Sequence, residues 1–169
     1  MAICPVDAVT LIGYSSDEIL DCKNLEKDIN ADLYLNHLKS RRSIRNFTDE
    51  PVTEEEIKMI LEAGRFSPTG GNRQNVSYYI SRNNVAEFRD LLMNELYEMG
   101  KKVVAAGVGE TMYAQYWIDM YEDYKKCGVD RLFFDAGTVI VISSDSPQAA
   151  IIAAAHMETM IYSMGFGIP

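Results

Sequence analysis

Along this chain the apolar positions fall at three- and four-residue spacing in several stretches and alternate or run together in two others. The first helical stretch covers about residues 30–40. Asn30 or Asp32 can cap it, and Leu33, Leu35 and Leu38 supply its apolar contacts. Residues 47–51 read as extended, because the residue before a proline avoids the helical region. Thr53 followed by Glu56 is a capping box. Ile57, Ile60, Leu61 and Gly64 then trace one face of a helix that Pro68 ends. Val76, Tyr78 and Ile80 alternate with polar neighbours, which predicts a strand over 75–81. Asn84 opens a further helix carrying Val85, Phe88, Leu91, Leu92 and Leu96, with Gly100 as its expected stop.

Over 110–127 the residues Met112, Tyr113, Tyr116, Trp117, Met120, Tyr121 and Tyr124 form a helical stripe that Gly128 terminates. Core or interface packing explains such a stripe most simply. The functional alternative is a ring such as Tyr116 or Trp117 overhanging a flat ligand. The β-branched run 138–142 predicts a strand buried on both faces. Pro147 opens a last helix rich in alanine, with Ile151, Ile152, Met157, Met160 and Ile161 among small residues. Such a helix is either central to the fold or pressed against a partner subunit. Gly165 and Gly167 then mark a turn, which reads as the start of a missing C-terminal portion. Residues 10–30 lack periodicity and read as a linker. Helices interspersed with a few strands argue for an α+β or α/β layered domain.

Composition narrows the classes. A chain of 169 residues that is 47% apolar is the size of one ordinary domain with a sizeable core. Its formal charge of -9 argues against nucleic acid or an anionic membrane as partner. Arg41, Arg42 and Arg45 therefore stand out. Cys4, Cys22 and Cys127 have neither disulfide-framework nor zinc spacing, so no metal site is expected and a reducing cytoplasm fits best. There is no membrane-spanning run and no signal peptide pattern.

The chemistry-bearing residues gather in two places. Arginine forks bind phosphate oxygens bidentately, and Ser43 adds a hydroxyl, so Arg41, Arg42, Ser43 and Arg45 suit a phosphate and a polar ring edge. Taken alone, three arginines in five residues favour a solvated basic turn. The cluster 67–74 changes that weighting, because Asn72 and Gln74 offer amide donors and acceptors, while Thr69, Gly70 and Gly71 allow close backbone approach. His37 and His156 lie in no triad or metal pattern, and His156 reads as a hydrogen-bonded packing residue. An enzyme built from these residues would leave its reaction to a cofactor.

The string R-R-S-I-R-x-F, an extended P-V, a capped helix ending I-L-E-A-G-R and then S-P-T-G-G-N-R-Q resembles the nitroreductase family of FMN-dependent oxidoreductases. The likeness runs without gaps over residues 38–74 and more loosely over 135–167. It implies an α+β, three-layer fold with a central, mostly antiparallel sheet flanked by helices, assembled as an intertwined homodimer. It also implies FMN as cofactor, NADH or NADPH as donor, and nitroaromatic, quinone or similar small acceptors served in a ping-pong cycle. The positions matching Arg41, Arg42 and Ser43 would contact the flavin phosphate and ribityl chain. Arg45 would stand near the pyrimidine edge, where positive charge stabilises the anionic reduced flavin. Pro68, Thr69, Gly70, Asn72 and Gln74 would approach the flavin of the other subunit. No side chain of the protein is expected to act as a catalyst itself.

Two departures accompany the likeness. The family continues with Pro-Trp where this chain has Asn75-Val76, and the segments that complete the family's phosphate site and reach flavin N5 would lie beyond Pro169. Cys4-Pro5 resembles the end of a bacterial ferredoxin motif, of which one ligand-type cysteine is present. Residues 1–30 would then be the remnant of a ferredoxin-like domain before a flavin domain over 31–169, and a 4Fe-4S cluster would need further upstream cysteines. A flavin module served by a ferredoxin, without NAD(P)H turnover, is the alternative reading.

Overall fold

The computed structural model describes residues 29–107, 109 and 111–169. The expectations for Cys4-Pro5 and for the linker at 10–28 lie outside them. The chain divides into two compact units, one ending at Lys39 and one over Ser40–Pro169. Helix α1, Ala31–Ser40, is capped by Asn30, whose Oδ1 accepts the Leu33 N–H at 3.0 Å. None of its residues is buried, and Leu33, Leu35 and Leu38, expected as its apolar contacts, are exposed among the described residues.

The second unit begins with a segment that is neither helix nor strand and continues into α2, Glu54–Arg65. The capping box is present as the sequence requires. Thr53 Oγ1 accepts the Glu56 N–H, and the Glu56 carboxylate accepts the Thr53 N–H at 2.7 Å. Ile57, Ile60 and Gly64 are buried on one face of α2, which packs against α5, Pro147–Ser163. Pro147 occupies the first turn of α5, and Ser146 caps it by accepting the Ala149 N–H.

Strands β1, Val76–Ser81, and β2, Val139–Ser144, pair antiparallel, with Tyr78 opposite Ile142 and Tyr79 opposite Val141. Tyr78 turns toward Gly64 and Met157, on the side covered by α2 and α5. Tyr79 and Val141 share the other face and are exposed, so β2 is not buried on both faces as its β-branched run suggested.

Helix α3, Val85–Ala106, and helix α4, Thr111–Cys127, pack as a pair between the two strands in sequence. Gly100 does not end α3. The helix runs about two turns further, to Gly107 in the left-handed conformation (φ 65°). Gly100 is instead the point of closest approach to α4, where a Cβ would stand 2.7 Å from the Ala114 carbonyl oxygen. Packing keeps it inside a helix that propensity would have stopped there. Met93, Gly100, Ala114 and Met120 are buried in this pair, and Tyr97 stacks on Tyr121 at 4.4 Å. Much of the aromatic stripe thus serves packing, while Tyr113 and Tyr116 remain exposed.

Candidate functional site

Both donor clusters are anchored on the C-terminal half of α5, one through Arg41 and Glu158 and the other through Ser67 and His156. Residues 41–48 form no helix or strand, and the Ile44 N–H donates to the Ile168 carbonyl at 2.9 Å. Gly167 lies flat against Ile44, with a virtual Cβ only 2.7 Å from its Cγ2. The glycine turn predicted after α5 therefore lets the basic segment lie directly on the chain's last residues. Arg41 Nη1 pairs with Glu158 Oε1 of α5 at 2.7 Å, and Tyr162 Oη donates to Ser40 Oγ at 3.2 Å. Arg42 Nη1 donates to the Arg41 carbonyl at 2.7 Å. Arg42, Ser43 and Arg45 are exposed, and the Arg45 guanidinium carbon lies 5.5 Å from the centroid of the Phe134 ring.

The second cluster begins where α2 stops. Ser67 is buried, and its hydroxyl bridges the Ala63 carbonyl at 3.2 Å and His156 Nδ1 at 2.9 Å. With Ser67 donating to Ala63, the imidazole N–H donates to Ser67, so His156 is hydrogen-bonded as its sequence context suggested, but it is exposed and not packed. A short 3-10 turn, Gly70–Asn72, follows Pro68. Thr69 organises it: its carbonyl accepts the Asn72 N–H at 2.9 Å and its hydroxyl accepts the Gln74 N–H at 3.0 Å. Gly71, Asn72 and Gln74 are all left-handed, at φ 62°, 54° and 51°. A glutamine adopts that conformation reluctantly, and the Thr69 hydroxyl is what holds it. No atom lies within 4 Å of a Cβ built on Gly70 or Gly71, so the loop's backbone faces open space. Asn75 Nδ2 reaches Asp145 Oδ1, tying the start of β1 to the end of β2 at the position where the resembled family has proline.

The placement of the two clusters follows from α5. Ser67 is held by His156 and Arg41 by Glu158. Two helix positions are 200° apart, so the clusters attach to nearly opposite sides of the same helix. Arg41, Arg42, Ser43 and Arg45 go with the Glu158 attachment, and Pro68, Thr69, Gly70, Asn72 and Gln74 with that of Ser67.

Sequence reasoning missed the partners of the arginines. Glu158 belongs to the alanine-rich helix, and Phe134 lies in a loop that carried no signal. Asp130 was missed as well: it is buried and accepts the N–H groups of Leu132 and Phe133 at 2.9 Å. An aspartate followed by Gly-flanked aromatic residues is the only sequence mark of that turn. A shallow cleft lined by Glu54, Ile57, Ile80, Arg82, Asn83 and Asn84 lies at the start of α2, away from Ser67–Gln74 at its far end. Arg82 there is bound to Glu54 and to the Val52 carbonyl. Among the described residues no group of three or more His, Cys, Asp and Glu could hold a metal ion, and no helix is long and apolar enough to cross a membrane.

An arginine segment, a capped helix and a left-handed glycine-asparagine loop are thus set on an α+β layer. The chain belongs to the nitroreductase family, whose family model matches residues 38–168. No curated protein matches the sequence. Among solved structures, an FMN-dependent nitroreductase from Clostridium difficile R20291 is similar at 22% identity and a TM-score of 0.54, covering 82% of this chain and 59% of that one. A nitroreductase with bound FMN from Bacteroides fragilis NCTC 9343 is similar at 20% identity and a TM-score of 0.51, covering 78% and 65%. Another with bound FMN, from Desulfitobacterium hafniense DCB-2, has 25% identity and a TM-score of 0.51, covering 78% and 65%. The chain thus spans 59% to 65% of the length of these three proteins.

Proposed function

We propose that this chain is the flavin-binding part of an FMN-dependent NAD(P)H oxidoreductase that works as an intertwined homodimer in the cytoplasm. Family membership supports the oxidoreductase class, and two of the similar structures carry bound FMN. The observation that carries the reading is the attachment of the two donor clusters to opposite sides of α5. Clusters on opposite sides of one helix suit a site shared between chains, since two chains related by a two-fold axis can offer the first cluster of one and the second of the other to the same ligand. The N-terminal half of α5 offers a surface for that assembly, since Ile151, Ile152, Ala154 and Ala155 are exposed apolar residues of a helix that is apolar all round.

The residues fit FMN. Arg42 and Arg45 present guanidinium donors and Ser43 a hydroxyl to an anion, and Arg41 keeps further N–H donors beyond the one engaged by Glu158. Open space over Gly70 and Gly71 admits a planar ring, and Asn72 and Gln74 would hydrogen-bond its polar edge. Bound FMN would supply transfer of reducing equivalents from NADH or NADPH to a nitroaromatic, quinone or similar small acceptor in turn. Arg45 would hold positive charge at the ring edge, and the loop at 68–74 would orient the ring and narrow access to it.

Reconstitution with FMN tests this. The desalted protein should keep a flavin absorbance band and sediment as a dimer. A folded chain that retains no flavin removes the proposal, and a flavin-loaded monomer removes the composite site. Cys4-Pro5 favours a second reading, a flavin module fed by a ferredoxin. Rapid bleaching of the flavin by NADH or NADPH in stopped flow supports the first, and bleaching by reduced ferredoxin alone supports the second.

A further inference from the structure

The loop between α4 and β2 is built more elaborately than a connection requires. Phe134 and Asp135 are both left-handed, at φ 55° and 57°, a conformation that residues with a Cβ rarely adopt singly and seldom in succession. The Asp130 carboxylate, whose side chain is 1% exposed, holds them there. Its Oδ1 accepts the N–H groups of Leu132 and Phe133 at 2.9 Å, and its Oδ2 accepts the Asp135 N–H at 3.2 Å. Arg89 Nη1 of α3 spans Asp130 Oδ2 at 3.5 Å and Asp135 Oδ1 at 3.4 Å. Phe133 stacks on Phe88 of α3 at 5.7 Å. The loop is therefore fastened to α3 on both sides of Phe134. Phe134 is half-buried, and what it meets is the Arg45 guanidinium, 5.5 Å from its ring centroid.

We propose that Phe134 is a positioning residue for Arg45, held against it by the Asp130 clamp so that the guanidinium is oriented toward the flavin. This rests on the FMN reading above. An aromatic face suits the task because it attracts a cation through its quadrupole and consumes none of the five guanidinium N–H donors, as a carboxylate partner would. A carboxylate beside Arg45 would also cancel the charge that the ring edge is to feel. Arg41 illustrates the contrast, being neutralised by Glu158. Arg45, the only one of the three placed at the ring edge, is held by an uncharged group.

FMN titration of the full chain tests the proposal, using Phe134→Leu, Phe134→Tyr, Arg45→Ala and the double variant Arg45→Ala/Phe134→Leu. Phe134→Leu should weaken FMN binding about two- to fivefold, the range of one exposed cation–π contact. Phe134→Tyr should restore it, and the double variant should bind no more weakly than Arg45→Ala alone. In the flavin-free protein, the Arg45 side-chain NMR resonances should carry a ring-current shift that Phe134→Leu abolishes and Phe134→Tyr retains. Unchanged FMN affinity in Phe134→Leu overturns the inference while leaving the FMN reading intact. So does an equal further loss when Phe134→Leu is added to Arg45→Ala, because Phe134 would then act on something other than Arg45. A missing ring-current shift overturns the contact itself. Wild-type protein that binds no FMN removes the functional reading and the inference with it.

Discussion

Gly100→Ala should destabilise the protein although alanine is the better helix former. In the middle of α3, replacing glycine by alanine is worth about 1 kcal/mol in propensity. Against that stands the new methyl group, which would lie 2.7 Å from the backbone oxygen of Ala114 and 3.1 Å from Ile118 Cγ1. A backbone carbonyl cannot rotate away as a side chain does, so α3 and α4 must separate. Overpacking of this kind costs about 1–3 kcal/mol. Separation would also disturb the Tyr97–Tyr121 stack one turn away, an arrangement of the kind worth about 0.5–1.5 kcal/mol. The balance is a net loss of about 1–3 kcal/mol, measured as a lower urea midpoint by far-UV circular dichroism. Gly64→Ala is the control. Its methyl would meet Tyr78 Oη at 2.7 Å and Met157 Sδ at 2.8 Å, which are the ends of side chains that can shift. The propensity gain there offsets the crowding to within about 1 kcal/mol. A Gly100→Ala variant as stable as the wild type would refute the close helix contact, and equal losses at both sites would refute the distinction between backbone and side-chain neighbours.

Tyr78→Phe should leave stability unchanged or raise it by up to about 1 kcal/mol, because the hydroxyl is buried with no hydrogen-bond partner among the described residues and the same burial raises its pKa. A loss beyond about 1 kcal/mol in urea unfolding would mean that the hydroxyl is satisfied after all. The Glu56 carboxyl is held below its ordinary value of 4.5, first by the Thr53 backbone N–H and then by the Thr53 hydroxyl. A carboxyl pKa lowered by folding contributes stability that is complete above the ordinary value and disappears as pH falls through the lowered one. An NMR titration of the Thr53 amide should therefore show its transition below pH 4.5, and a midpoint at or above that value would refute the reciprocal cap.

What could be read from the sequence was what local chemistry decides. The Thr53–Glu56 box, Pro147 in the first turn of α5 and the glycine after Cys127 each act within one turn of chain, and each stands where it was expected. Gly100 was misread because a glycine that ends a helix and one that admits a neighbouring helix look the same until the neighbour is known. The run 138–142 was expected to be buried on both faces, but β-branching reports strand propensity and not the number of covering layers. The candidate site divides in the same way. Residues 41–45 and 68–74 stood out as candidates because donors cluster in the chain. Glu158, Phe134 and Asp130 were not, because their meaning comes from residues 117, 89 and 41 positions distant.

The geometry of α5 ties these observations together. Its buried residues Ala149, Ala153 and Met157 repeat every four positions and face α2. Glu158 and Tyr162 also stand four apart, on the opposite side, and there the basic segment crosses the helix through Arg41 and Ser40. Ile151 and Ala155 continue that same outer row toward the N-terminus of α5, where both are exposed among the described residues, Ile151 to 68%. One row thus carries the basic segment at one end and an uncovered apolar surface at the other. A second chain seated on Ile151 and Ala155 would lie beside the first chain's arginines, bringing its own glycine-asparagine loop into their neighbourhood. In the proposed dimer, burying the apolar half of α5 and completing the flavin site would be one event, so cofactor affinity and dimer stability should rise and fall together.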